Sequence, residues 1–176
     1  RVVQINGRDV SPVQAMVEAN RIGGGNGVGM KHALENRVIG TKSRGVYEAP
    51  GMETLGTALR FLYQATLDRR STLLFQQLSK LVADQIYDGR YFDPVTQAAR
   101  AAIGVFAQHA SGTIKVGLYK GNVLFLALSG CQASLYNEAD SSMEASAGLN
   151  PVSSQGFAEI QSVEARAMAR AGQIRA

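Results

Sequence analysis

The segment from Asn26 to Pro50, NGVGMKHALENRVIGTKSRGVYEAP, limits what this chain can fold into more than any other. Nine of the chain's 19 glycines lie between Gly23 and Gly56, and glycine serves where a backbone needs positive φ or must approach another group closely. Val38, Ile39 and Val46 bracket the KSRG segment. The pattern predicts two short extended stretches joined by a glycine-punctuated turn, with Glu35 on one and Tyr47 on the other. A separation of twelve residues is too long for one helix face but natural for two neighbouring strands, so the two side chains are expected to converge.

Charge is interleaved with the glycines, as Lys31, Glu35, Arg37, Lys42, Arg44 and Glu48. Glu35 among these cations points to a site for a zwitterionic or multiply charged small molecule, the carboxylate meeting an ammonium and the basic groups a carboxylate or phosphate. The competing reading is a surface loop in which Glu35 pairs with Arg37 or Arg44 and Tyr47 simply packs. Glycine runs without a complete phosphate-loop pattern are weak signals.

The remainder reads as scaffold. Val2 to Ile5 predicts a short strand running into a turn, and Ser11-Pro12 a cap and first position for a helix that ends at Gly23, with Val13, Met16, Val17 and Ile22 as its core stripe. After Pro50 a second helix carries Met52, Leu55, Leu59 and Leu62. Asp68 caps a third, bearing Leu74, Leu78, Leu81 and Val82 and stopped by Gly89. Asp93-Pro94 opens a fourth, with Val95, Ala98, Ala99, Ala102, Ile103 and Phe106 as its buried face. Alternation over Ile114, Val116 and Leu118, turn chemistry at Lys120-Gly121-Asn122 and the run Val123 to Leu128 predict a β-hairpin. Leu135 and Tyr136 could add a strand. Asn137 to Gln155 reads as an exposed connection, and Phe157 to Gln173 as an alanine-rich helix with Ile160, Val163, Ala167 and Met168 on one stripe.

At 176 residues, 45% hydrophobic and 18% charged, the chain suits one domain with a real core. The fold class expected is α+β, a small and mainly antiparallel sheet packed with several helices, followed by an extended C-terminal arm and helix. The division expected is a main domain over residues 1–155 and a separate helix over 156–176. No run approaches the roughly 20 apolar residues of a membrane span, and the mild net charge of +4, scattered without aromatic interleaving, argues against nucleic-acid binding. A single cysteine, Cys131, excludes an internal disulfide and a cysteine metal cluster and fits a reducing cytoplasm. His32 and His109 lack metal-ligand spacing, so no metal ligand is assigned.

The segments NGVGM, ENRVIGTKSRG and VYEAPG, in that order, resemble the C-terminal part of the argininosuccinate synthase family. Fainter similarity continues through LDRR, Tyr87 to Phe92, SGTIKVGLYKGN and SLYNE, and EAPGM with the long final segment resembles the longer bacterial form. The resemblance implies an ATP-dependent ligase joining citrulline to aspartate, with release of AMP and pyrophosphate, in arginine biosynthesis. In that reaction the citrulline ureido oxygen attacks the α-phosphate of ATP, and aspartate then displaces AMP. By position within ENR and RGVYE, Glu35 and Tyr47 match the family's citrulline-binding residues. Lys42, Ser43 and Arg44 are left without a role, and no catalytic residue is assigned.

Further implications are a cytoplasmic homotetramer and ATP, with Mg, held mainly by an N-terminal domain outside this chain. Arg1 in place of methionine fits truncation, and the chain has no SGG-type or GxxxxGK-type phosphate loop, so by itself it is expected to be inactive. A non-catalytic module that binds a ligand or partner through the glycine-rich loop remains the alternative, and an unrelated phosphate-binding enzyme the third reading.

Overall fold

The structure is a computed structural model that describes residues 1–141, 150 and 152–174. It divides into two compact units, Arg1–Leu135 and Tyr136–Ala176. The class is α+β: among the described residues there are six helices and three two-stranded antiparallel sheets, so the strands pair as separate hairpins.

In the first unit, β1 (Gln4–Ile5) and β2 (Arg8–Asp9) flank a turn at Asn6 and Gly7, both with positive φ. Ser11 then caps α1 (Pro12–Gly25) through a capping box with Gln14. The helix runs two residues beyond the expected stop at Gly23, because its end is a Schellman motif one turn further on. Gly27, at φ +69°, donates to Gly24 O, and Val28 donates to Gly23 O at 3.0 Å. Val28, the residue after the left-handed glycine, is buried.

The buried face of α1 is Ala15, Ala19 and Gly23, whereas Val13 and Val17 of the expected stripe are exposed. Close approach to α2 (Pro50–Thr66) is the reason. A β-carbon on Gly23 would lie 2.7 Å from Thr54 Oγ1, and one on Gly51 would lie 2.6 Å from Asn20 Oδ1. The Gly51 amide donates to that same Asn20 oxygen at 2.7 Å. Two helices this close leave space for alanine and glycine between them and turn valine outward.

Between α1 and α2 the chain makes β3 (Met30–Asn36) and β4 (Lys42–Glu48), paired antiparallel with Lys31 opposite Tyr47, Ala33 opposite Gly45 and Glu35 opposite Ser43. The base of this hairpin is closed by a backbone bond and tied to α2. Ala49 N–H donates to Gly29 O at 3.0 Å, and Lys31 Nζ pairs with Glu53 of α2 at 2.5 Å.

Asp68 caps α3 (Arg69–Tyr87) by accepting from the amides of Arg70 and Ser71. Gly89, at φ +74°, ends it as expected. In α4 (Pro94–Ala107) the buried residues are Thr96 and Ala99, while Val95 and Ala98 of the expected face are exposed. The Thr96 hydroxyl donates to Arg90 O at 2.8 Å, which turns the first helical turn inward on Thr96.

The expected second hairpin is β5 (Thr113–Tyr119) and β6 (Asn122–Ser129), turning at Lys120 and Gly121, both at positive φ. Its register shifts between Lys115 and Val116, leaving Leu126 as the extra residue on β6. Leu135 joins no strand: its amide donates to Ala65 O at the end of α2, so that backbone bond goes to a helix carbonyl.

In the second unit, α5 (Glu138–Ser141) and α6 (Val152–Arg170) account for part of the segment expected to be a connection, and residues 142–149 and 151 lie outside the described residues. Helix α6 starts five residues earlier than Phe157 because Asn150 Oδ1 accepts the Val152 amide, an N-terminal side-chain cap. Phe157, Ile160 and Val163 along it are exposed. No helix among the described residues is long and apolar enough to cross a membrane.

Gly29 and Gly40 both have positive φ, yet a β-carbon would meet Ala49 and Pro50 backbone at 2.6 Å at Gly29 and open space at Gly40. Gly40→Ala is therefore expected to cost about 1 kcal/mol, the conformational penalty alone. Gly29→Ala is expected to cost about 3 kcal/mol or more, since backbone must also move. Urea unfolding of the two variants checks this, and equal losses would contradict it.

Candidate functional site

Strand alternation decides which side chains share the site. Lys31, Ala33 and Glu35 of β3 lie on one face with Ser43, Gly45 and Tyr47 of β4, and the Ala33 and Gly45 pair brings the smallest side chains to it. Glu35 and Tyr47 therefore sit diagonally, and Tyr47 must lie along the strand to reach across. It does so over Gly45: a β-carbon there would stand 2.7 Å from Tyr47 Cε2 and 2.8 Å from its Oη. The Tyr47 hydroxyl donates to Glu35 Oε1, which is the convergence expected from the sequence.

Two further groups complete the cluster. Arg37 Nη2 lies 3.2 Å from Glu35, and Ser43 Oγ donates to Glu35 at 3.3 Å. Arg37 Nε in turn donates to Ser43 Oγ at 2.8 Å. The ion pair of Glu35 with Arg37 weighed against the ligand reading is thus present, but as one part of a four-residue network. Arg44 is on the opposite face, donating from Nε to His32 Nε2 at 2.8 Å, and Lys42 stands at the tip opposite Asn36. Period-two alternation splits the KSR triplet, leaving only Ser43 on the Glu35 side.

Sequence reasoning offered Arg37 as a partner of Glu35 only in the reading that excluded a ligand, and it missed Ser43 as a partner and Gly45 as the space for Tyr47. Register supplies the signal for the last two, because Ser43 and Gly45 alternate with Tyr47 along β4. Beside the cluster an open cleft of about 490 Å³ is lined by Arg37, Val38, Ile39, Thr41, Ser43 and Tyr87. Tyr87, at the end of α3, donates to Asn36 O at 3.3 Å and ties that helix to the hairpin.

The hydrogen bond from Tyr47 holds the Glu35 carboxyl below the usual carboxylate range, aided by the Arg37 charge and the Ser43 hydroxyl and opposed by partial desolvation. The same hydrogen bond, then desolvation and the Glu35 charge, raise the Tyr47 phenol. The Lys31 ammonium likewise lowers Glu53. Chemically, the face presents an ionised carboxylate and a phenol oxygen whose proton is already committed to it. Toward a ligand both act as acceptors, which suits an ammonium or N–H group.

The family described as "Arginosuccinate synthase C-terminal domain" matches residues 2–168. The chain belongs to that family. It is 37% identical to the argininosuccinate synthase of Campylobacter curvus over 161 residues, covering 92% of this chain and 40% of that protein. The Clostridium tetani argininosuccinate synthase is 37% identical over 163 residues, covering 93% and 41%. The chloroplastic argininosuccinate synthase of Arabidopsis thaliana is 38% identical over 157 residues, covering 88% and 31%. The chain thus spans about two fifths or less of the length of these synthases.

Both pKa shifts favour the hydrogen-bonded state with Glu35 ionised and Tyr47 protonated. The lowered Glu35 value contributes stability that is present above the ordinary carboxylate value and lost as pH falls through its depressed pKa. The raised Tyr47 value contributes stability present below the ordinary phenol value and lost as pH rises through its elevated pKa. Gly45→Ala is expected to lift the Tyr47 ring off the strand and return both groups toward ordinary values. NMR titration of the Glu35 carboxyl carbon and the Tyr47 ring checks this; unmoved midpoints in the variant would refute it.

Proposed function

We propose that this chain supplies the citrulline-binding face and the subunit contacts of an ATP-dependent ligase that forms argininosuccinate from citrulline and aspartate. The observation that carries the reading is the Glu35 and Tyr47 pair on one hairpin face, whose oxygens can accept from a ligand, in a chain whose relatives are named argininosuccinate synthase. Glu35 takes the α-ammonium of citrulline by charge and hydrogen bonding, and Tyr47 Oη accepts from a neighbouring N–H of the same ligand. The Tyr47 hydrogen bond, aided by the Arg37 charge and the Ser43 hydroxyl, favours the ionised carboxylate.

ATP and its magnesium are assigned to residues elsewhere. The sequence carries no phosphate-loop motif. The chain's part lies with the amino-acid substrate, and its proposed setting is a cytoplasmic homotetramer.

In the complete synthase, Glu35→Gln is expected to raise the citrulline KM on the order of ten- to a hundredfold, the worth of a hydrogen bond to a charged group, and to leave the ATP KM within about twofold. Steady-state kinetics with each substrate varied in turn decides it, and unchanged citrulline kinetics would sink the assignment.

Assembly is assigned to α6. A lone helix with few strong pairwise contacts is marginal in water, and the exposed Phe157, Ile160 and Val163 on α6 are covered in the proposed tetramer by another subunit. Removing the chain from Val152 onward is expected to lower the oligomeric state while the circular dichroism of the remainder persists. Light scattering after size-exclusion chromatography checks it; a truncated protein that keeps its assembly contradicts the idea.

A further inference from the structure

The three groups that hold Glu35 all reach the same atom. Tyr47 Oη and Ser43 Oγ donate to Oε1, and the contact of Arg37 Nη2, at 3.2 Å, is with Oε1 as well. Among the described residues no hydrogen bond goes to Oε2. An ionised carboxylate offers about four acceptor positions, two on each oxygen. Oε1 is therefore filled by its neighbours, while Oε2 keeps its full capacity on a side chain that is still 24% exposed.

The arginine geometry separates this from an ordinary structural ion pair. An arginine that only neutralises a carboxylate favours two parallel N–H contacts, one to each oxygen. Here the fork is divided: Nη2 faces Glu35 Oε1, and Nε donates to Ser43 Oγ at 2.8 Å. Because Ser43 Oγ accepts from arginine, its own proton is free to turn to Glu35, and the bonds Arg37 to Ser43 to Glu35 run in one direction and polarise each other. Ser43 also sits directly opposite Glu35 in the strand register, which holds its hydroxyl beside the carboxylate.

We propose that Arg37 and Ser43 are positioning residues that grip Glu35 by Oε1 alone and so present Oε2 to the ammonium of the bound amino acid. The proposal rests on the reading that Glu35 binds citrulline. With Oε1 fixed by three groups, rotation of the carboxylate about its terminal bond is blocked. Oε2 then stands in place before the ligand arrives, and the ordering cost at binding falls.

The test uses the complete synthase and citrulline as the probe, with affinity from isothermal titration, KM and kcat from kinetics, and the thermal midpoint from calorimetry. Ser43→Ala and Arg37→Gln are each expected to weaken citrulline binding about three- to tenfold, with the ATP KM and the thermal midpoint unchanged. Ser43→Thr, which keeps the hydroxyl, is expected to bind within about twofold of the parent. If Ser43→Ala and Arg37→Gln bind citrulline like the parent while Glu35→Gln does not, the positioning role is overturned and the reading of Glu35 stands. If Glu35→Gln also binds like the parent, the underlying reading fails and the proposal with it. A loss that Ser43→Thr does not rescue, or that follows a fall in thermal midpoint, identifies a structural brace and likewise overturns it.

Discussion

The close crossing of α1 and α2 fixes nearly everything that matters in the first unit. Gly23 and Gly51 leave no space for a β-carbon at the crossing, and Gly29 leaves none against the Ala49 and Pro50 backbone. Because β3 leaves from the end of α1 and β4 runs into the start of α2, the crossing fixes the two ends of the hairpin at one place. The bond from Ala49 to Gly29 and the pair of Lys31 with Glu53 then complete the base. A rigid base is what allows a two-stranded sheet, marginal by itself, to carry a defined site.

Given that base, the chemistry follows from alternation along two strands. One face gathers Glu35, Ser43 and Tyr47, and the other takes His32 and Arg44. The acidic group is thereby separated from Arg44, while of the cations on its own side Lys31 is paired with Glu53 and Arg37 is tied to one of its oxygens. Glycine at position 45 has a steric purpose here, since it lets an aromatic ring lie flat on the sheet and span the diagonal to its partner.

Much of this was legible in the sequence, and the failures share a cause. The capping residues Ser11, Asp68 and Gly89, the turn at Lys120-Gly121, and the convergence of Glu35 with Tyr47 follow from local chemistry that acts within a few residues or across one hairpin. The buried faces of α1 and α4 do not, because a stripe of large apolar residues is the natural core only when helices pack at ordinary distance. Ala15, Ala19 and Gly23 are buried on account of how close α2 comes, and Thr96 on account of one hydroxyl bonded to a carbonyl six residues back. The start of α6 was missed because Asn150 caps it from within a stretch whose small polar composition resembles a loop. At the site, charge counting could not choose between Arg37 and Arg44 as the partner of Glu35 and gave Ser43 no part, whereas strand alternation sends Arg44 to the other face and sets Ser43 opposite Glu35.

The loop between α1 and β3 has consequences for motion. Its composition, Asn26-Gly27-Val28-Gly29, is that of a flexible linker, yet its backbone is bonded on three sides. Val28 donates to Gly23 O, Gly29 O accepts from Ala49, and Asn26 O accepts from Gly121 at the tip of the second hairpin at 2.9 Å. A β-carbon on Gly121 would stand 3.1 Å from Gly27 O, so the two loops meet backbone to backbone with no side chain between them. The amide protons of Val28, Ala49 and Gly121, which donate these three bonds, should therefore exchange slowly with solvent. The part of the chain that looks loosest becomes the hub through which opening of either hairpin is felt by the other.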